Sequence, residues 1–223
     1  MSSTATNAEN PAGTNSAQAA GFLRSRLGSL LAFMPLAVWT VLHLWNNLSA
    51  FQGASAWQTA VTEHAHPLAQ LFTSVIVLLP LVLHTIWGIN RLRTARVNVQ
   101  KYSFFANLRY ILQRLSAVGL MAFLGAHIWL AMLHPRLQEG HAEPFGEIAK
   151  EMHHHTPTLV VYLLGTLAVA YHLANGISTF AMGWGLVVSR RALKKLEAVT
   201  YAVFVLLLAM SWASIYALYA AGR

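Results

Sequence analysis

The sequence predicts an all-α membrane protein with five transmembrane helices. Of its 223 residues, 56% are hydrophobic and only 10% are charged, whereas soluble domains carry about 25% charged residues. Five runs are apolar enough to cross a bilayer, which takes roughly 20 residues each, and mean hydropathy is +0.49. Four of those runs each hold one histidine well inside: His43, His84, His127 and His172. Ionisable groups inside a membrane are expensive and mark a functional site.

The first twenty residues, MSSTATNAENPAGTNSAQAA, are small and polar and bury too little apolar surface to fold alone, so a disordered tail is expected over 1–20. Residues 21–223 then form one five-helix domain. The first span is expected near Leu27–Ala50, after Arg24 and Arg26. It is too long for a cleaved signal and is followed by four more spans. The second, near Pro67–Asn90, and the fourth, near Pro157–Met182, both open on a proline, a good first-turn residue. The third is expected near Leu108–Leu133 and the fifth near Leu196–Ala220. Cysteine is absent. That excludes disulfides, thiolate-held iron–sulfur clusters and haem attached through Cys-x-x-Cys-His.

Basic residues set the orientation. Arg24 and Arg26 precede the first span. Arg91, Arg93, Arg96, Lys101 and Arg109 lie between the second and third, and Arg190, Arg191, Lys194 and Lys195 between the fourth and fifth. The opposite loops hold Glu63, Glu139, Glu143, Glu147 and Glu151 with only Arg136 and Lys150. The positive-inside rule makes the N-terminus and the basic loops cytoplasmic. The net charge of +8 is therefore a topology signal. No nucleic-acid partner is expected, because the charges are divided among juxtamembrane loops. A basic cytoplasmic face also suits an acidic partner subunit.

With orientation set, depth pairs the histidines. His43 and His127 sit roughly 10 Å below the outer edge at the helical rise per residue, and His84 and His172 roughly 25 Å below it. Each pair bridges two helices, and bundle cores are where cofactor sites are built. A facing histidine pair is a natural axial ligand set for haem iron, so helices one to four are expected to hold two haems. Any one of these histidines alone is equally explained by a bond to a neighbouring serine or carbonyl. Four at two matched depths are not. His64, His66, His134, His141 and the run His153–His155 fall in or beside outer loops and read as solvated. Ser29, Arg26, Arg109 and Arg114, at the cytoplasmic ends of spans one and three, are candidates to bond haem propionates, although topology alone also explains the arginines. Gly28, Gly88, Gly119, Gly125, Gly165 and Gly176 permit close helix approach or clear space for a porphyrin face.

The stretch RSRLGSLLAFMPLAVWTVLHLWNNLSAF resembles the first helix of the two-haem cytochrome b subunit of succinate:quinone oxidoreductases. LVLHTIWGINRLRTARVN, RLSAVGLMAFLGAHIW and YHLANGISTFAMGWGLVV resemble its second, third and fourth helices. The likeness covers nearly all of the chain after the tail, including a fifth helix without a ligand. It implies a bacterial inner-membrane, multi-pass subunit with two non-covalent haems b, the distal held by His43 and His127 and the proximal by His84 and His172. It also implies two partners, an FAD-containing flavoprotein that oxidises succinate and an iron–sulfur subunit. Electrons would pass from the latter through the proximal and then the distal haem to menaquinone. Glu63, the carboxylate at the outer entrance to span two, is the candidate for quinone protonation, with His64 and His66 as rivals. Some fumarate reductase members carry a glutamate two residues before the proximal ligand of helix four. Ala170 stands there in this chain, which leans toward succinate oxidation.

Two alternatives share much of this pattern: the same subunit of a quinol:fumarate reductase, and the cytochrome b subunit of another membrane dehydrogenase or hydrogenase. The even placement of ligands on helices one to four speaks against the latter. A transporter needs a polar pathway, and the spans have almost no carboxylates or lysines.

Overall fold

In lipid the backbone must satisfy its own polar groups, so an apolar run long enough to cross becomes a helix. The computed structural model describes residues 11–63, 67–94 and 105–223, and contains helices and turns but no strand among them. Five helices are long and apolar enough to span a membrane. These are α1 (span Arg26–Gln52), α3 (Leu71–Arg93), α4 (Asn107–Glu139), α6 (Thr156–Gly183) and α7 (Arg190–Ala221). Two short helices, α2 (Ala54–Trp57) and α5 (Phe145–His154), lie in the connections that follow α1 and α4. The five spans fall where the apolar runs predicted them.

The N-terminal segment differs from expectation. Helix begins at Pro11 and runs into α1 as Pro11–Leu31, so the second half of the segment expected as a disordered tail is helical. Gln18, Ala19 and Ala20 are exposed. Ala17, Gln18, Ala19 and Ala20, which lead into the span, are good intrinsic helix formers. Residues 1–10 of that expected tail lie outside the described residues, as do His64, His66, Arg96 and Lys101.

Prolines account for the irregular turns of the spans. Pro35 lies within a widened π-helical turn, Ala32–Ala37, before His43. Similar turns at Ser74–Leu78 and Trp129–Leu133 come shortly before Pro80 and Pro135. A proline removes one backbone donor and crowds the carbonyl four residues back, and a π turn absorbs both without ending the helix.

Packing follows residue size. The buried side of α6 carries Gly165, Thr166, Ala170, Ala174, Asn175, Ser178 and Ala181, a stripe of small residues that lets neighbours approach closely. α4 packs on one flank of α6 and α7 on another, while α1 packs on α3, α6 and α7. The hydroxyls that α7 buries are answered within its own helix: Ser211 and Ser214 donate to the carbonyls of Leu207 and Met210 at 2.8 and 2.9 Å. On α3 the exposed Leu71, Phe72, Val75, Leu79, Val82 and Ile86 recur at helical spacing and form a lipid-facing side.

The outer connection after α4 is not the solvated loop its polar sequence suggested. α5 lays Phe145, Ala149 and Met152 against Ala50 and Trp57 on one side and Ile215, Ala217 and Leu218 of α7 on the other. His153, read as solvated, is half-buried there, its Nδ1–H donating to the Tyr219 carbonyl at 3.0 Å. His154 and His155 remain exposed. Met152 is fully enclosed. Met152→Ala should cost about 2–5 kcal/mol and free α5 first. Limited proteolysis between α4 and α6, alongside thermal unfolding in detergent, reads both effects.

Candidate functional site

The four intramembrane histidines meet in two pairs. The rings of His43 (α1) and His127 (α4) face each other with centroids 6.0 Å apart and planes at 68°. Those of His84 (α3) and His172 (α6) lie 6.3 Å apart at 70°. Each pair therefore joins helices across the bundle rather than successive ones. Two imidazoles bound to one metal, with metal–nitrogen bonds of about 2.0 Å and ring centres beyond them, stand about 6 Å apart. Both separations match that figure. No group of three or more His, Cys, Asp or Glu able to hold a bare ion occurs among the described residues. Two imidazoles suit instead an iron whose remaining ligands come with it on a macrocycle.

A family model described as the succinate dehydrogenase/fumarate reductase transmembrane subunit matches residues 92–210. The chain belongs to this family. It is also 29% identical over 201 residues, 89% of this chain and 96% of the relative, to the succinate dehydrogenase cytochrome b558 subunit of Bacillus subtilis (strain 168). The matched region contains His127 and His172, one member of each pair. Like others of the succinate dehydrogenase/fumarate reductase transmembrane subunits, the chain is all-α and built to span a membrane.

A hydrogen bond fixes which nitrogen the His84 ring offers. His84 Nδ1 lies 2.9 Å from the Gly28 carbonyl oxygen. A carbonyl only accepts, so Nδ1 carries the proton and Nε2 keeps the free lone pair, the form a metal needs. His127 Nδ1 pairs with the Tyr162 hydroxyl at 3.0 Å. His172 Nδ1 lies 3.2 Å from Gln113 Nε2 and 3.4 Å from Ser116 Oγ. His43 is tied within its own helix: Asn47 Nδ2 donates to the His43 carbonyl at 2.8 Å and lies 3.4 Å from its Nε2. Asn47 Oδ1 in turn accepts from Trp57 Nε1 at 3.2 Å, which fastens α2 over the outer pair.

Aromatic rings brace three of the histidines from their own helices. Trp39 stacks on His43 at 5.8 Å, Phe123 on His127 at 5.5 Å, and Trp87 on His84 at 5.8 Å. Two glycines make this possible. A Cβ on Gly28 would run into the Trp87 ring, and one on Gly165 into Phe123. The sequence marked both as sites of close helix approach or of space for a porphyrin face. The signal for their actual neighbour, an aromatic three or four residues from a histidine, was present but needed the fold to connect it.

The residues proposed for propionates gather near the inner pair. Arg26 Nε and Arg114 Nε are buried without a hydrogen-bond partner among the described residues, unanswered donors of the kind a carboxylate satisfies. The Ser29 hydroxyl is already engaged: it donates to the Arg26 carbonyl at 2.7 Å and accepts from Trp184 Nε1 at 3.2 Å. Arg109 is spent elsewhere, donating to Asn175 Oδ1 through Nε and Nη2 at 3.0 and 2.8 Å and pairing with Glu197 at 3.2 Å.

At the outer end Glu63 is exposed, accepting from Thr59 Oγ1 at 3.2 Å. Glu143 lies deeper in the loop before α5. Burial is the larger cause, and repulsion by Glu147, Glu139 and Glu151 the lesser, of a carboxyl pushed above its usual range, while His134 acts the other way.

Gly165→Val should drive Phe123 off His127 and destabilise the fold by about 1–3 kcal/mol. Gly119→Ala, whose added Cβ would meet only Ala168 at 3.5 Å, should be nearly neutral. Thermal unfolding of the two variants side by side in detergent measures the difference.

Proposed function

We propose that this chain is the membrane anchor and electron conductor of a succinate dehydrogenase, moving electrons between the two faces of the membrane along its histidine pairs. The facing of His84 with His172 and of His43 with His127, at metal-sandwich separations on four different helices, carries this reading. Each pair would hold one haem b, which supplies reversible one-electron uptake at iron. The chain's own residues do the rest. The four histidines would supply the iron ligands, Gly28 fixes the His84 tautomer, and Arg26 and Arg114 would meet the haem carboxylates. The apolar spans keep water from the rings.

Orientation rests on the basic residues beside α1, α3 and α7 and the carboxylates at the opposite ends. On this reading the His84/His172 pair would lie toward the cytoplasmic side of a bacterial inner membrane, with the N-terminus inside. Electrons would enter there from an iron–sulfur subunit, itself supplied by an FAD-containing flavoprotein. They would leave near His43 and His127 to menaquinone. Glu63, on the segment that α2 fastens over the outer pair, would supply protons to the reduced quinone.

Succinate oxidation is favoured over fumarate reduction by Ala170. It is completely buried, in a cluster with Leu44, Leu207 and Met210. A glutamate at this position, used by some fumarate reductase members, would be enclosed by apolar side chains and costly to ionise.

Difference spectra of the isolated complex test the assignment. Wild type should show two low-spin b-type haems. His84→Ala or His172→Ala should remove one and stop its reduction by succinate. His43→Ala or His127→Ala should remove the other while succinate still reduces the first. Glu63→Gln should keep both spectra and lower quinone reduction at least tenfold. A wild-type preparation with no b-type absorption, or the same spectral loss for His43→Ala and His84→Ala, overturns the reading.

A further inference from the structure

The two rings of the inner pair are supported in opposite ways. His84 Nδ1–H donates to the Gly28 carbonyl at 2.9 Å, an acceptor that makes the imidazole a more electron-rich ligand. His172 meets the end of a polar chain of fixed polarity. Arg109 has no acceptor atoms, so its two bonds oblige Asn175 to present Oδ1 to it. Asn175 Nδ2 then donates to Gln113 Oε1 at 2.8 Å. Gln113 is left with its amide N–H groups facing His172, where one donates to the His172 carbonyl at 3.2 Å and the nitrogen stands 3.2 Å from Nδ1. Asn175 is buried, at 4% exposure, so its amide is held by these protein partners.

A ring that gives its Nε2 lone pair to a metal must carry its proton on Nδ1. For His172 that proton finds a donor nitrogen at 3.2 Å and, as the only acceptor among the described residues, Ser116 Oγ at 3.4 Å. The serine oxygen has lone pairs to offer, because its own proton goes to the Gln113 carbonyl at 3.0 Å. That bond is long and weak. The chain therefore withholds from His172 the acceptor that Gly28 gives to His84.

We propose that Arg109, Asn175 and Gln113 are positioning residues that keep His172 an electron-poor ligand and so raise the reduction potential of the metal group held by the inner pair. A poorer donor favours the reduced over the oxidised metal, and hydrogen bonding around a ligand is one of the protein's levers on potential. The inference rests on the haem-binding reading given under Proposed function.

Potentiometric titration of the isolated complex, following the two b-type absorptions separately, tests it. Gln113→Glu puts a carboxylate acceptor at Nδ1–H and should move the inner-pair wave to lower potential, leaving the outer-pair wave in place. Asn175→Ala frees the Gln113 amide to turn its oxygen toward Nδ1 and should move the same wave in the same direction by less. Unmoved waves in both variants overturn the proposal while leaving the haem assignment intact. Two retained waves with lowered thermal stability alone make the chain a structural tie and also overturn it. Loss of the inner-pair absorption in both variants does the same, since a tuning role requires that the group still bind. Only a wild type without either wave would count against the haem reading itself.

Discussion

An imidazole in lipid must have both ring nitrogens answered, and this requirement organises the molecule. Water is not available to do it, and an unmet polar group at that depth costs several kcal/mol. The Nδ1 partners come from neighbouring helices: Gly28 of α1 for His84, Tyr162 of α6 for His127, and Gln113 and Ser116 of α4 for His172. Each such bond ties two helices as it turns a ring. The helices that must be adjacent are thus chosen partly by what the histidines need. The helices that must face each other are chosen by the pairs.

Close approach is the second requirement, and small residues meet it. The stripe from Gly165 to Ala181 lets α6 lie against its neighbours, so that side chains as short as Asn175 and Ser116 reach across. Gly28 and Gly165 make room for the aromatic rings braced on His84 and His127. The π turns at or before Pro35, Pro80 and Pro135 rephase three of the four histidine-bearing helices without breaking them. The outer end is closed by the apolar contacts of α2 and α5, together with the Trp57–Asn47 and His153–Tyr219 hydrogen bonds. An apolar seal there leaves Glu63 and the acidic loop at the surface.

Much of this was legible beforehand, and the reasons are specific. Span positions follow from hydropathy because a membrane admits few alternatives to a helix. Depth follows from counting residues at 1.5 Å each, which is why His43 could be matched with His127 before any contact was known. Counting says nothing of which way a side chain turns. The support of His84 by a backbone carbonyl has no sequence signal at all, since every residue carries one. The Arg109–Asn175–Gln113 chain was equally hidden: its members lie on two helices some sixty residues apart, and Arg109 read as a topology charge or a propionate partner. The docking of α5 was missed because its glutamates and histidines dominate the stretch, while Phe145, Ala149 and Met152 show their role only when read on one helical face.

The sequence by itself determined the membrane class and the five spans, and it set the expected side of each loop and the expected depth of each histidine. All four depend on properties that are local or additive along a helix: apolar length, charge count and rise per residue. The tertiary structure alone decided that the rings face each other at 6.0 and 6.3 Å, which tautomer His84 adopts, and that His172 meets a donor where His84 meets an acceptor. These depend on rotation of one helix against another, and that rotation is set by packing between residues far apart in the chain.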